Sequence, residues 1–469
     1  MTLVNRSLVT IDDLSVSEME SVFNLAEEMG GTIEKQTDVC QGMIMASLFF
    51  EPSTRTRLSF EAAMHRLGGN VIGVSDVEST SFAKGESIAD MARIVGSYAD
   101  ILVIRHPWEG AAKVVADYAG VPVINAGDGG HQHPTQTLLD LYTIRKERGS
   151  LKGLTIALWG DLKYGRTTHS LILALAKFGA NMLFCPSPGL EVPHNVIRKL
   201  IAEYGGEIET HDVTKELDES FPIDAIYKTP DSPHQLAMMP DVNLEVELRK
   251  GVDALYVTRT QKERFIDGEA KGKTGKFPIV NREFLSGKEF RKTIVMHPLP
   301  RVDELAYDVD SDPRGMYFKQ AAHGVPIRMA LLSLLLGCKK PSVTGSDLPE
   351  PQLDYPVYNR GYAVTCPNGR CVSVQETETK YLVPEFMITS RDPLTLRCVY
   401  CEHGFQPGFV ASVDWHEGRL ENKKYHSADS HFARTIKTEN LVLFDTERQA
   451  QAMGFMPSHF VSESPDVIL

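Results

Sequence analysis

Between residues 44 and 300 short apolar runs alternate with helix-length amphipathic segments, and no other pattern in the chain restricts its fold as much. Runs without polar alternation need cover on both faces, which parallel strands linked by helices provide. They read MIMASLFF, NVIGV, DILVIR, VPVINA, LTIALWG, NMLFC, IDAIY, DALYV and KTIVMHP. Nine candidate strands exceed what one sheet comfortably holds. The spacing therefore predicts an α/β chain of two doubly wound parallel-sheet domains, 1–150 and 151–300, jointed at Arg148 to Gly153. An amphipathic helix over 313–337, interrupted at His323 to Pro326, is expected to pack back on the first domain.

After Gly337 the texture changes. Residues 338–355 are rich in Pro, Ser and Gly and read as a linker. Residues 356–415 carry short β-like runs, YAVTC, YLVPEFMI and LTLRCVY, and predict a small β-rich domain. The extension 416–469 offers one helix candidate, DTERQAQAMG. A formal net charge of −13 argues against a general affinity for nucleic acid or anionic membrane, so any anion site must be local. The N-terminus does not read as a signal peptide, and the apolar run Met329 to Gly337 is too short to span a bilayer. A cytoplasmic protein is the expectation.

The stretch FEPSTRTR, residues 50–57, places hydroxyls and guanidinium groups where a helix begins. Ser53 can act as N-cap, and the unpaired N–H groups of that first turn, with the hydroxyls of Ser53, Thr54 and Thr56, form a cradle for phosphate. Arg55 adds a bidentate donor. Taken alone, a capped surface helix with solvated arginines would explain this stretch. Further candidates recur at strand ends, however: Ser81 and Lys84 in a polar loop, Arg105 and His106, then His131, Gln132, His133 and Gln136 at a helix start. Ligands of open α/β sheets bind outside the carboxyl ends of strands, so these groups can share one crevice. In the second half, GDLKYGR sets Arg166 at a helix start, TRTQKERF carries Arg259 and Gln261, and HPLPR carries His297, Leu299, Pro300 and Arg301. Separated arginines suit a small dicarboxylate; for Arg301 a plain surface position is the better reading.

FEPSTRTR, HPTQ, GDLKYGR, TRTQKERF and HPLPR, in this order over residues 1 to about 337, resemble the catalytic chain of the aspartate carbamoyltransferase family. The resemblance implies transfer of a carbamoyl group from carbamoyl phosphate to the amine of L-aspartate, a step of pyrimidine biosynthesis. It implies Arg55, Thr56, Lys84, Arg105 and His133 as the catalytic set. Ser53, Thr54, Arg55 and Thr56 would hold phosphate, Arg105 would bridge phosphate and carbonyl oxygen, and His133 would donate to that oxygen. Gln136 and the backbone carbonyl of Leu299 would accept from the carbamoyl NH2, with Pro300 shaping the turn. Lys84, Arg166, Arg259 and Gln261 would hold aspartate. Ser81 and Lys84 match residues that in the family arrive from a neighbouring subunit, which implies a homotrimer. Ornithine-specific relatives carry HCLP where this chain has HPLP, and the arginines favour a dicarboxylate acceptor over ornithine.

Seven cysteines do not suggest a disulfide framework. Cys366 and Cys371, then Cys398 and Cys401, form two knuckles whose spacing matches a four-thiolate zinc site, whereas Cys40, Cys185 and Cys338 read as isolated thiols. The surrounding sequence resembles the zinc domain of the regulatory chain of the same family, so the chain reads as a fusion. Residues 338–365 leave no room for that chain's larger nucleotide-binding domain. The expected role of the module is structural or assembly-related, including docking of a partner or a higher assembly. The tail loosely resembles a small metal-binding module of nuclease and repair proteins, with serines and histidines in place of cysteines, and His426 and His431 read as packing residues. A rival from another class is a non-enzymatic zinc scaffold on an inactive transferase.

Overall fold

The computed structural model describes residues 3–31, 36–74, 85–187, 189–205, 207–210, 225–228, 251–261, 279–342, 354–360, 363–376, 381–413 and 424–458. It divides into two compact units, Met1–Pro107 with Val115–Pro351, and Trp108–Val114 with Gln352–Leu469.

The first unit opens with α1 (Val16–Gly30), whose Ser15 cap and Glu18 form a reciprocal capping box. A parallel sheet follows from β1 (Ile44–Phe49), β2 (Asn70–Val74), β3 (Ile101–His106) and β4 (Val123–Asp128), in the order β2-β1-β3-β4. Its helices are α2 (Thr54–Arg66), α3 (Ile88–Gly96) and α5 (Pro134–Arg148), together with the later residues of α4 (Ala111–Tyr118), whose first four belong to the second unit. The second sheet holds β5 (Thr155–Gly160), β6 (Asn181–Pro186), β7 (Glu207–Thr210), β8 (Ala225–Lys228), β9 (Ala254–Thr258) and β10 (Ile294–Met296), in the order β10-β9-β5-β6-β8-β7. With it come α6 (Arg166–Lys177) and α7 (His194–Tyr204). Each of the nine apolar runs named between residues 44 and 300 contains one of these strands. β7 was not legible, because EIET carries a single apolar residue and is too short to show a period of two. β8 runs antiparallel to both β6 and β7, so this otherwise parallel sheet has one antiparallel edge.

Between β5 and β9, and between β1 and β3, successive connections leave in opposite directions. These are the two topological switch points, and α2, α6 and the ends of β3 and β9 all start from them.

The late helix is α8 (Tyr317–Leu335), and it is continuous through Pro326, where the sequence predicted an interruption. A proline inside a helix costs about 3 kcal/mol. Here Ile327, Met329, Leu331, Leu332, Leu334 and Leu335 are all buried, each worth about 1.5–3 kcal/mol. α8 packs on α1, α2 and α5, and that burial outweighs the missing hydrogen bond. At the joint, Gly149 caps α5 at φ +82°, and Arg148 donates to the carbonyl of Asp253 at 2.8 Å and to that of Lys292.

In the second unit, β11 (Val357–Tyr358), β12 (Phe386–Arg391), β13 (Leu394–Cys398) and β14 (Gly404–Phe405) form an antiparallel sheet, with one helical turn, α9 (Val372–Gln375), after Cys371. Residues 363–366 of YAVTC are not strand. A further sheet, ordered β17-β15-β16-β18, combines β15 (Phe409–Ser412), β16 (Lys424–Ser427), β17 (Leu441–Phe444) and β18 (Met456–Pro457). α10 (His431–Thr435) and α11 (Glu447–Ala452) accompany it, the latter lying in the DTERQAQAMG segment. Tyr425, Val442, Phe444, Ala450 and Phe455 form its core. The extension is thus a β layer that recruits β15 from the preceding segment. Asp445 ties the layers together, its amide donating to Ala363 O at 2.9 Å and its carboxylate accepting from the amide and hydroxyl of Thr365. His426 stacks on Phe432, ring centroids 4.2 Å apart.

Segment 108–114 folds with this unit. The Glu109 amide donates to Arg370 O and the Val372 amide to Glu109 O, both at 2.9 Å, and the Asn368 amide donates to the Glu109 carboxylate at 2.6 Å. Gly110, at φ +86°, is required there, because a Cβ would stand 2.7 Å from the Tyr400 carbonyl carbon.

Candidate active site and metal-binding cluster

Both switch points open into one cavity of about 690 Å³. Ser53, Thr54, Arg55, Thr56, Arg105, His133, Gln136, Arg166, Arg259, Gln261, Leu299 and Pro300 all line it. Ser81 and Lys84 lie outside the described residues. His106, His131 and Gln132 do not line the cavity. His106 packs at a tilt against Phe50, His131 pairs with Asp128 at 2.9 Å, and Gln132 accepts from the Ser170 hydroxyl at 2.9 Å. Arg301 is held by Asp310 and stacks on Tyr307, apart from the site.

Ser53 is the N-cap of α2 by its backbone, but its hydroxyl makes no capping bond. That leaves the hydroxyl, with the first-turn N–H groups, for a ligand. His133 is likewise the N-cap residue of α5 by its backbone, before Pro134, and its ring makes no capping bond. The second arginine of the motif, Arg57, pairs with Glu61 at 2.7 Å and is structural.

Among the described residues five arginines line the cavity, Arg55, Arg105, Arg166, Arg259 and Arg328, against a single carboxylate, Glu51. Glu51 Oε1 accepts from Arg105 at 2.8 Å and from Arg166 at 3.0 Å, while its Oε2 accepts from Arg166 at 3.0 Å. Arg105 is the penultimate residue of β3 and Arg166 opens α6, so one carboxylate ties the two sheets' switch points together. Gly127, at φ +113°, lets the end of β4 pass close beneath both guanidinium groups; a Cβ there would lie 3.0 Å from Arg105 Nη1 and 3.1 Å from Arg166 Cζ. Burial, and then the charge of Arg259, hold Arg55 below the usual arginine range.

His133 is buried, and burial followed by the charges of Arg166, Arg105 and Arg328 holds its pKa well below the ordinary histidine value. It is a neutral imidazole. Thr135 Oγ1 stands 3.4 Å from Nδ1; with that hydroxyl as donor, the ring proton sits on Nε2, available to a ligand. At the opposite wall, His297 Nε2 donates to Glu304 at 2.8 Å and Nδ1 accepts from the Leu299 amide at 2.7 Å. This fixes Leu299 in the left-handed region at φ +54°, a conformation that costs a non-glycine residue about 1–3 kcal/mol and marks functional turns. Gln261 is anchored by its amide to Asp161 Oδ2 at 2.9 Å, and Asp161 Oδ1 also accepts from Lys163 and Tyr164 in the GDLKYGR turn.

Glu51 stands within FEPSTRTR, but its role is not legible in the sequence, because a carboxylate in an anion cradle has the wrong sign until its arginine partners are seen. Arg328 was also missed. A lone charge within VPIRMALLSLLLG was the available signal, since a buried charge needs a reason.

In the second unit the four cysteines are buried, with their sulfurs all within 4.8 Å of one another. Cys366 and Cys401 Sγ are 3.6 Å apart, and Cys371 and Cys398 Sγ 3.8 Å. Thiolates about 2.3 Å from a tetrahedral ion stand about 3.8 Å apart, whereas a disulfide needs about 2.05 Å. The donor set fits a bound metal ion.

The model of the carbamoyl-phosphate-binding domain of aspartate/ornithine carbamoyltransferases matches residues 6–146, and that of their aspartate/ornithine-binding domain matches 231–335. The catalytic subunit of aspartate carbamoyltransferase from Thermoplasma acidophilum is 47% identical over 338 residues, 71% of this chain and 99% of the relative. The chain belongs to the aspartate carbamoyltransferase family. A relative from Methanopyrus kandleri is 45% identical, covering 72% of this chain and 99% of its own length. Among solved structures, the M. jannaschii catalytic subunit is 43% identical with a TM-score of 0.56, covering 71% of this chain and 98% of its own. The Trypanosoma cruzi enzyme in complex with carbamoyl phosphate and aspartate is 37% identical with a TM-score of 0.58, again over 71% and 98%. Residues 359–408 match the metal-binding domain of the aspartate carbamoyltransferase regulatory chain, so one chain carries catalytic domains and a regulatory-chain metal module. Among the described residues no helix is long and apolar enough to cross a membrane.

Proposed function

We propose that this cavity binds carbamoyl phosphate and L-aspartate together and makes N-carbamoyl-L-aspartate for pyrimidine biosynthesis. The observation that carries the reading is the convergence of five arginines from both switch points, on a chain of net charge −13. Ser53, Thr54, Arg55 and Thr56 hold the phosphate, and Arg105 reaches phosphate and carbonyl oxygen. The amine of aspartate attacks the carbamoyl carbon. The C–N bond forms, the C–O bond to phosphate breaks, and phosphate leaves with the electron pair and takes up the surplus amine proton. Negative charge grows first on the carbonyl oxygen, where neutral His133 donates from Nε2, and then on the phosphate, where the arginines are already in place. Such fixed orientation of two reactants can lower a barrier by roughly 7–11 kcal/mol.

Arg166, Arg259 and Gln261 take the two carboxylates of aspartate. An ornithine side chain would need an available anion, and the one carboxylate that lines the cavity among the described residues, Glu51, is already shared by two arginines. Ser81 and Lys84 complete the site from a neighbouring subunit of a homotrimer. Exposed apolar side chains in the first domain, Leu58, Ile94 and Tyr98, support burial against another copy; native mass measurement tests this, and a monomer would contradict it. The four cysteines hold structural zinc.

The division of the cavity is tested kinetically. Arg259→Ala is expected to raise KM for aspartate with KM for carbamoyl phosphate little changed, and Arg55→Ala to lower kcat. An Arg259→Ala enzyme impaired only toward carbamoyl phosphate would overturn the assignment.

A further inference from the structure

Behind the cavity wall lies Asp140, one turn beyond Gln136 on α5 and fully buried. Three donors from three elements converge on it. Gln136 Nε2 reaches Oδ1 at 2.8 Å, Gln320 Nε2 of α8 reaches Oδ1 at 2.6 Å, and the Tyr256 hydroxyl of β9 reaches Oδ2 at 2.8 Å. An ionised carboxylate only accepts, so each primary amide must turn its NH2 inward and its carbonyl oxygen the other way. For Gln320 that oxygen accepts from the His297 amide at 3.0 Å, and His297 in turn holds the Leu299 amide at 2.7 Å. For Gln136, which lines the cavity, the carbonyl oxygen is left for a ligand.

We propose that Asp140 is a positioning residue that sets the polarity of the carbamoyl NH2 subsite, orienting the Gln136 oxygen directly and steadying the Leu299 turn through Gln320 and His297. The inference rests on the reading of Gln136 and Leu299 as acceptors. It explains why a carboxylate is retained in a fully buried position: both acceptors for one NH2 are referred to the same anion. A neutral residue would leave the amide of Gln136 free to flip and present donors to donors.

Burial raises the Asp140 carboxyl to about 7, against hydrogen bonds from Gln320, Tyr256 and Gln136 and the charge of Arg328. Tyr256 from β9 and Arg328 from α8 are the titratable and charged groups acting on it; β4, α6 and β10, which also pack on α5, supply none of the groups that perturb it. Below that pH the group becomes a donor and the enforced amide orientation is lost.

Acetyl phosphate, which has a methyl group where carbamoyl phosphate has NH2, is the probe. A site built around acceptors favours the ligand with donors. In Asp140→Asn, KM for carbamoyl phosphate is expected to rise on the order of 10²-fold, while the inhibition constant of acetyl phosphate stays within about twofold, so that discrimination collapses. Tyr256→Phe, which changes no cavity-lining residue, should move the acidic limb of kcat/KM for carbamoyl phosphate to higher pH, because the carboxylate loses one of its donors. Equal weakening of both ligands in Asp140→Asn, or an unmoved limb in Tyr256→Phe, would overturn the proposal while leaving the acceptor reading intact. A wild-type protein that turns over carbamoyl phosphate yet binds acetyl phosphate equally well would overturn the acceptor reading and the proposal with it.

Discussion

Replacing Glu51 by glutamine tests whether the arginine cluster is assembled at a cost that a bound anion relieves. In the free protein Glu51 accepts three charge-assisted hydrogen bonds, at 2.8, 3.0 and 3.0 Å, from Arg105 and Arg166. Both guanidinium groups are nearly buried, with side-chain exposures of 9% and 7%, while Glu51 keeps 24%. Removing one partner of a buried pair costs about 3–5 kcal/mol; the residual exposure of Glu51 places this case near the lower end, about 3 kcal/mol. At roughly 2–4 °C per kcal/mol, the catalytic unit should melt about 6–12 °C lower. Inorganic phosphate should then recover more of the loss in Glu51→Gln than it adds to the wild type, since a ligand at 100 times its Kd stabilises by about 2.7 kcal/mol and the unpaired arginines bind it more tightly. Calorimetric melting of the full chain, with and without phosphate, measures both quantities. A Tm within about 2 °C of wild type, equivalent to under 1 kcal/mol, together with an unchanged response to phosphate, would refute the reasoning.

Removing the metal should loosen the turn at 366–372, and with it the backbone bonds between Glu109 and residues 370 and 372. Hydrogen exchange at 108–114 should therefore accelerate on chelation in the full chain, and unchanged exchange there would contradict the link. Stability should also fall on acidification. His106 and His323, held near 4 in the fold chiefly by burial against about 6.5 unfolded, contribute stability that is whole above pH 6.5 and is lost as pH falls toward 4. Asp140, raised to about 7 from 3.8, acts in the opposite sense, its contribution diminishing as pH rises between those values, and two imidazoles outweigh one carboxyl. In urea titrations at about pH 6.5 and 4.5, His106→Gln should shrink the acid loss; an unchanged loss would exclude His106 as its source.

All strands of the two catalytic sheets except β7 were legible, because strands buried in a sheet appear as apolar runs, and MIMASLFF or LTIALWG can serve little else. The cradle at Ser53 to Thr56 was equally legible, since hydroxyls, arginine and a helix start coincide within one short segment. Groups whose role depends on distant partners were not. Glu51 acquires its meaning from Arg105 and Arg166, and Asp140 from Gln320 and Tyr256, residues far away in the chain. Pro326 misled for a related reason: local propensity spoke for a break, while the apolar faces of α1, α2 and α5 decided otherwise. In the tail, strands of two to four residues, paired across a core of mixed aromatics, left no periodic signal to read.

Whether one cavity joins a phosphate cradle to a dicarboxylate site is decided by product formation from carbamoyl phosphate by the purified, metal-loaded full chain, with L-aspartate and L-ornithine offered in parallel. N-carbamoyl-L-aspartate and phosphate are expected in equal amounts with aspartate, and no product with ornithine. Turnover with ornithine, or folded protein that turns over neither acceptor, would contradict such a joint site.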